Sequence, residues 1–182
     1  MIFNKSSMKI IKYFFKKPYN SIHLRELSRQ TNTSIYSTKI IVDNLVKKEF
    51  LSEEKRGNQR LLKANIENIF FKHLKIAFSI KNIQESGIIG FLKNKIPAIS
   101  SIVLYGSTSK GVDAEESDID LLVIGQKSKI DLLDYEKKSG KEINLIIMKW
   151  SEWREHEKTD RAFYREILKD GIALYGDIPV IE

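Results

Sequence analysis

Two aspartates one residue apart, Asp118 and Asp120, stand at the head of an apolar run within LYGSTSKGVDAEESDIDLLVIG, residues 104–125. On a strand, residues i and i+2 share a face, so the two carboxylates would lie about 6 to 7 Å apart and repel each other. A fold that keeps them beside its own core must set something positive between them. Just upstream, Ser101 to Tyr105 reads as a short apolar strand that feeds directly into GSTSKG. Glycines at 106 and 111 let a backbone approach a ligand closely, and Ser107 with the turn amides can face phosphate oxygens. The turn does not satisfy the Walker spacing G-x-x-x-x-G-K-[ST], which disfavours a P-loop ATPase. A divalent cation such as Mg²⁺, a hard ion that prefers carboxylate and phosphate oxygens, would relieve the repulsion between Asp118 and Asp120.

The rest of the sequence narrows the chemistry by exclusion. The chain has no cysteine, so a disulfide, a thiolate metal site and a cysteine nucleophile are ruled out. Its three histidines, His23, His73 and His156, are scattered and make no H-E-x-x-H spacing. The most apolar helical stretch, IENIFFKHLKIAFSI, is interrupted by Lys72, His73 and Lys75, short of the roughly 20 apolar residues a membrane span needs. The start of the chain shows no signal-peptide pattern, and the expected location is cytoplasmic.

Charge divides the chain. Residues 1–65 hold fourteen Lys and Arg against five Asp and Glu, whereas the remainder is slightly acidic, within a total of +7. A polyanion is the natural partner of the basic part. Periodicity predicts helices from Ser7 to Phe15, from about Ile22 to Gln30, and from Ser34 onward, the last with Thr38, Ile41, Val42 and Leu45 inward and Tyr36, Ser37, Lys39 and Asp43 outward. FLSEEKRGNQRLLKAN then predicts a hairpin turning at Gly57-Asn58, flanked by Lys55, Arg56 and Arg60. Two further helices are expected near 67–81, with Phe70, Leu74 and Ala77 or Phe78 recurring at helical spacing and the aromatics Phe70, Phe71 and Phe78 as core, and over 86–94.

Two helices joined by a tight polar turn and followed by a basic-tipped hairpin resemble a winged helix-turn-helix of the kind found in bacterial and archaeal transcription regulators. That resemblance implies duplex DNA as a partner, with Tyr36, Ser37 and Lys39 as base or phosphate contacts and Lys55, Arg56 and Arg60 as backbone contacts. Winged helices also dock proteins, and both uses remain open.

GSTSKG followed by SDIDLLVIG resembles the minimal nucleotidyltransferases of the DNA polymerase beta superfamily, over about residues 88–148. By that resemblance Asp118 and Asp120 are metal ligands and catalytic residues, while Gly106, Ser107, Lys110, Gly111 and Ser117 hold a nucleoside triphosphate. Mg²⁺, or Mn²⁺ in its place, is the implied cofactor. The family reaction moves a nucleoside monophosphate from an NTP to a hydroxyl; the acceptor, whether protein, RNA or small molecule, stays open. The family's third carboxylate falls on the next strand, KEINLIIMKW, where Asn144 stands instead. An amide carries no charge and cannot take a hydroxyl proton as a base. Glu142, two residues earlier and on the same strand face, is a compensating carboxylate.

The expected fold class is α+β: a winged helix over 1–66, connecting helices over 67–98, and a nucleotidyltransferase domain over 99–182 with a small mixed sheet flanked by helices. A last helix is expected to open at a Ser151 cap and end near Gly171, before a closing strand, IALY. Two functions fit. One is a working transferase that a DNA-binding module serves; the other is a DNA-binding regulator carrying an impaired nucleotide pocket. A homodimer is compatible with either.

Overall fold

The computed structural model describes residues 4–57 and 59–181, the side chain of Arg56 excepted, so the Asn58 half of the expected turn and the Arg56 contact lie outside the described residues. The chain forms two compact units, one running up to Lys75 and taking in Val112–Glu115, the other comprising Ile76–Gly111 and Glu116 onward.

The first unit begins with α1 (Lys5–Lys16), whose leading amides are met by Asn4: its Oδ1 accepts from Ser7 N at 2.8 Å. The helix buries Ile10, Ile11, Phe14 and Phe15, and Met8 is half-buried. A two-residue strand β1 (Ile22–His23) leads into α2 (Leu24–Gln30), and α3 (Ile35–Lys47) follows a tight turn in which Asn32 takes a positive φ of 47°. Ser34 caps α3, accepting from Ser37 N at 3.1 Å. Thr38, Val42 and Leu45 are its buried stripe. The hairpin β2 (Leu51–Arg56) and β3 (Gln59–Ala64) pairs in register from Leu51 opposite Ala64 to Arg56 opposite Gln59. β1 adds to β3 through Ile22 opposite Leu62, giving the order β1-β3-β2. Two residues are too few to show a period, which is why sequence reading absorbed β1 into the helix that follows.

α4 (Ile69–Ser86) corrects the expected core face. Phe70 is half exposed and Leu74 only half-buried, whereas Phe71, one of the aromatics expected as core, is buried together with Lys75 and Ile83. The stripe is turned by one residue because a lysine occupies an inward position. Lys75 is 2% exposed, and its ammonium bonds both the carboxylate and the carbonyl oxygen of Asp113, which lies in the Val112–Glu115 segment of the same unit. A buried ammonium is tolerable only when so compensated.

In the second unit α5 (Ile88–Lys95) precedes a four-stranded sheet of β4 (Ser101–Tyr105), β5 (Ile119–Ile124), β6 (Ile143–Met148) and β7 (Ile172–Tyr175). Their order is β6-β5-β4-β7. β4 is antiparallel to both neighbours and β5 is parallel to β6, so the sheet is mixed. The parallel crossover runs through α7 (Leu133–Ser139), ended by Gly140 at φ 68°. Period-2 alternation splits the apolar residues between two cores: Ile102, Leu104, Leu121 and Val123 meet α5, while Val103, Tyr105, Leu122 and Ile124 meet Trp153, Tyr164 and Ile167. The expected single last helix is two, α8 (Trp150–Thr159) and α9 (Arg161–Asp170). Ser151 lies inside α8, where Glu152 accepts from Lys149 N at 3.0 Å, and Asp160 separates the helices by capping α9 through Phe163 N at 3.1 Å. Among the described residues no helix is long and apolar enough to cross a membrane.

Candidate functional site

Three strand ends meet where β4 hands over to its turn. Tyr105 is opposite Asp120 in the β4–β5 ladder, and Asp120 is opposite Asn144 in the β5–β6 ladder. Asp118 lies one residue before β5. The Asn144 amide fills the gap between the carboxylates: Nδ2 donates to Asp118 Oδ2 at 3.0 Å and to Asp120 Oδ1 at 3.1 Å. Two acceptors that converge on one nitrogen also converge on any cation in its place.

The turn is a single helical one, α6 (Gly106–Ser109), held by Ser109 Oγ donating to Gly106 O at 3.0 Å and by Gly111 N donating to Thr108 O at 3.2 Å. Gly106 has φ 72°, and a Cβ there would overlap the Asp120 carboxylate. Glycine is thus required twice at this position, by backbone conformation and by the closeness of the aspartate. Ser107 and Ser117 are half-buried at the mouth, and Gly111 is buried at φ 69°.

Electrostatics register the crowding. Burial raises the Asp120 carboxyl above its ordinary value; the Asn144 hydrogen bond opposes this, and the charges of Asp118 and Glu166 add to it. Burial, with Asp120 and Glu166 as further contributors, pushes the Tyr105 phenol up to about 12. The Lys110 ammonium, expected to face phosphates, is paired with Glu166 at 2.5 Å and Asp170 at 3.7 Å, and the Glu166 hydrogen bond raises its pKa. A phosphate would have to compete with two carboxylates for it. Glu166 is the site neighbour that sequence reading missed. Its place one turn before Asp170 on an amphipathic helix was the available signal, but alternating charges there read as a solvated face.

The donor set fits a hard divalent cation, because two carboxylates share a focus and their repulsion is only partly relieved by a neutral amide. It supplies two anionic ligands. Among the described residues no group of three His, Asp or Glu is arranged to hold a metal. Glu142 is exposed just ahead of β6, with its carbonyl oxygen accepting from Ile119 N at 2.9 Å.

In the first unit Tyr36 is 73% exposed and Lys39 and Lys55 are exposed, while Ser37 is half-buried with its hydroxyl accepting from Ser34 Oγ at 2.9 Å. Arg60 is not an open contact. Its guanidinium reaches Glu53 at 2.6 Å and Asp43 at 2.7 Å, binding the hairpin to α3, and these partners raise its pKa, the Glu53 hydrogen bond most. A cavity of about 440 Å³ lies among His23, Arg25, Ile35 and Gln59.

A sequence model of the polymerase beta nucleotidyltransferase family matches residues 86–177. A candidate protein adenylyltransferase of Methanocaldococcus jannaschii is 36% identical over 81 residues, which is 42% of this chain and 79% of the relative. Among solved structures, a toxin–antitoxin complex with AMP-PNP aligns at a TM-score of 0.37 and 20% identity over 51% of this chain and 73% of that one. A mutant of the MntA–HpeT toxin–antitoxin pair aligns at 0.38 and 20% over the same shares.

Proposed function

Because the chain belongs to the polymerase beta nucleotidyltransferase family, we propose that it transfers AMP from ATP to a hydroxyl group of a polypeptide, with Mg²⁺ or Mn²⁺ held by Asp118 and Asp120. The observation that carries this reading is the convergence of both carboxylates on one point beside Gly106. Adenylate as the transferred group and protein as the acceptor are supported by the description of the archaeal relative. In this reading Gly106 admits the triphosphate against the turn, and Ser107, Gly111 and Ser117 offer it donors. Mg²⁺ bound there supplies charge neutralisation on the triphosphate and between the aspartates. The acceptor oxygen forms a bond to the α-phosphorus, the bond from that phosphorus to the pyrophosphate oxygen breaks, and the hydroxyl proton is lost to solvent. Asn144 cannot take that proton, so turnover is slow and rests on positioning.

The first unit serves in this proposal as a DNA-binding winged helix, supported by its order α1-β1-α2-α3-β2-β3 and its basic charge. α3 would enter the major groove with Tyr36, Ser37 and Lys39, and the hairpin would bring Lys55 to phosphates. Arg60 braces the hairpin instead of touching DNA. The regulator reading, in which an inert pocket governs the DNA-binding unit, is favoured by one observation: the neutral Asn144 between the two aspartates.

Calorimetry of Mg-ATP binding tests the site. Asp118→Asn and Asp120→Asn should each weaken binding at least tenfold, and the intact chain should label an acceptor polypeptide from radioactive ATP. Unchanged binding in both variants would sink the assignment.

A further inference from the structure

The two edges of the sheet in the second unit differ. β7 is four residues long and its pairing with β4 shifts register between Ile102 and Val103, which are common protections of an exposed edge. β6 has none of these. Its six residues, INLIIM, carry no charge and no proline, and their register with β5 is unbroken from Ile143 to Met148. Ile119 N donates to Glu142 O and Gly125 N to Met148 O, both at 2.9 Å, so the even-numbered peptide groups of β6 face β5. Successive peptide groups of a strand point opposite ways, so Leu145 and Ile147 turn their N–H and C=O to the open side, where no strand among the described residues pairs with them.

A cavity of about 390 Å³ adjoins this edge. Its apolar floor includes Ile146 and Met148, and its wall on α8 includes Glu155 and His156. His156 Nδ1 is buried without a hydrogen-bond partner among the described residues. Lys127 and Glu152, also at the cavity, neutralise each other at 2.6 Å, which leaves Glu155 to set the sign of the charge. Asn144, Ile146 and Met148 alternate along β6 and share a face, so the cavity lies on the same side of the sheet as the two aspartates.

We propose that the open edge of β6 takes up an extended polypeptide segment as a further strand, with a basic side chain of that segment in the cavity beside Glu155 and His156. Only a polypeptide backbone matches a row of alternating amide donors and acceptors at strand spacing, and only a cationic side chain complements the cavity's charge. A hydroxyl residue two or four positions from the basic one would then stand beside Asn144, since two residues of strand span about 6.6 Å. That last placement rests on the nucleotidyl-transfer reading; the added strand and the cavity do not.

The probe is the peptide acetyl-Val-Lys-Val-Tyr-Val-Lys-Val-amide, which sets a lysine two residues either side of tyrosine and so fits either strand direction. Amide hydrogen exchange of the full chain, followed by NMR without nucleotide, should show fast exchange at Leu145 and Ile147 and slow exchange at Ile146 and Met148. Millimolar peptide should slow Leu145 and Ile147 at least tenfold, and a peptide N-methylated at alternate bonds should not. Ile147→Pro removes one edge donor; Glu155→Lys, an exposed substitution that leaves the fold intact, should weaken peptide binding about tenfold. The proposal is overturned by Leu145 and Ile147 exchanging as slowly as Ile146 in the free chain, by no protection at millimolar peptide, or by protection that rises with protein concentration alone, which would give the edge to a second copy. None of these readings depends on ATP, so a failure of nucleotidyl transfer leaves the edge standing.

Discussion

Asn144→Asp turns the neutral bridge of the site into a third charge. The amide nitrogen stands 3.0 Å from one aspartate oxygen and 3.1 Å from another, so the variant exchanges two charge-assisted hydrogen bonds for two like-charge contacts at the same separation. At 3 Å in a water-like dielectric each contact costs about 1.4 kcal/mol, which suits a half-exposed site, and the pair about 3 kcal/mol. For a chain of this length that lowers Tm by roughly 6 to 12 °C at pH 8 without divalent cations. Mg²⁺ at a hundred times its Kd returns about 2.7 kcal/mol through binding the folded state, so most of the loss should vanish with Mg-ATP. The pH dependence has a definite sign. Burial and neighbouring charge already raise the folded Asp120 carboxyl above its unfolded value, so the folded state takes up protons first and stability falls as pH rises through the raised value. A third carboxylate strengthens this, and the difference from wild type should narrow toward pH 5. Thermal unfolding at pH 5 and pH 8, with and without Mg-ATP, reads all four corners. A variant within 2 °C of wild type at pH 8 without metal would refute the convergence of the three groups, and gained stability without gained metal affinity would remove Asn144 from the catalytic position.

Other perturbations separate the parts of the molecule. Gly106→Ala should abolish nucleotide binding and cost stability, about 1 kcal/mol from the positive φ alone and more from the overlap with Asp120, as seen in urea unfolding. Lys75→Met leaves Asp113 buried without its cation and should cost about 3 to 5 kcal/mol in the same assay, while Lys81→Met, at an exposed ion pair, should cost under about 1 kcal/mol. If the first unit binds DNA, Lys39→Ala and Lys55→Ala should each lower the salt slope of duplex affinity by about 1, whereas Arg60→Ala should lower stability more than affinity. Equal salt slopes in all three variants would return Arg60 to the phosphate contacts.

Much of the second unit could be read directly because its signals are local. An apolar run bounded by glycine, as at Ser101–Tyr105, and carboxylates spaced by two need no knowledge of distant neighbours, and β6 placed Asn144 directly opposite Asp120. What escaped depended on partners far along the chain. Lys75 reads as a surface residue until Asp113, 38 positions away, is known to meet it, and that one pairing turned the inward face of α4 by a residue. Lys110 and Arg60 read as open cations because their counter-ions, Glu166 on α9 and Glu53 with Asp43, meet them only in the folded chain. The break at Asp160 was missed for a different reason. A helix cap inside a continuous charged pattern leaves the period undisturbed on both sides.

Val112–Glu115 belongs to the first unit although it lies between Gly111 and Asp118, so the chain crosses between the units three times. No single cut therefore separates them cleanly. A protease nicking after Lys75 would release a fragment whose ammonium has lost its counter-ion and another whose Asp113 has lost its lysine, and both should be more easily digested than the parent. The same holds for recombination. Replacing the first unit by a different domain would require re-engineering four residues inside the loop that leads to Asp118 and Asp120, so the two units are not interchangeable cassettes.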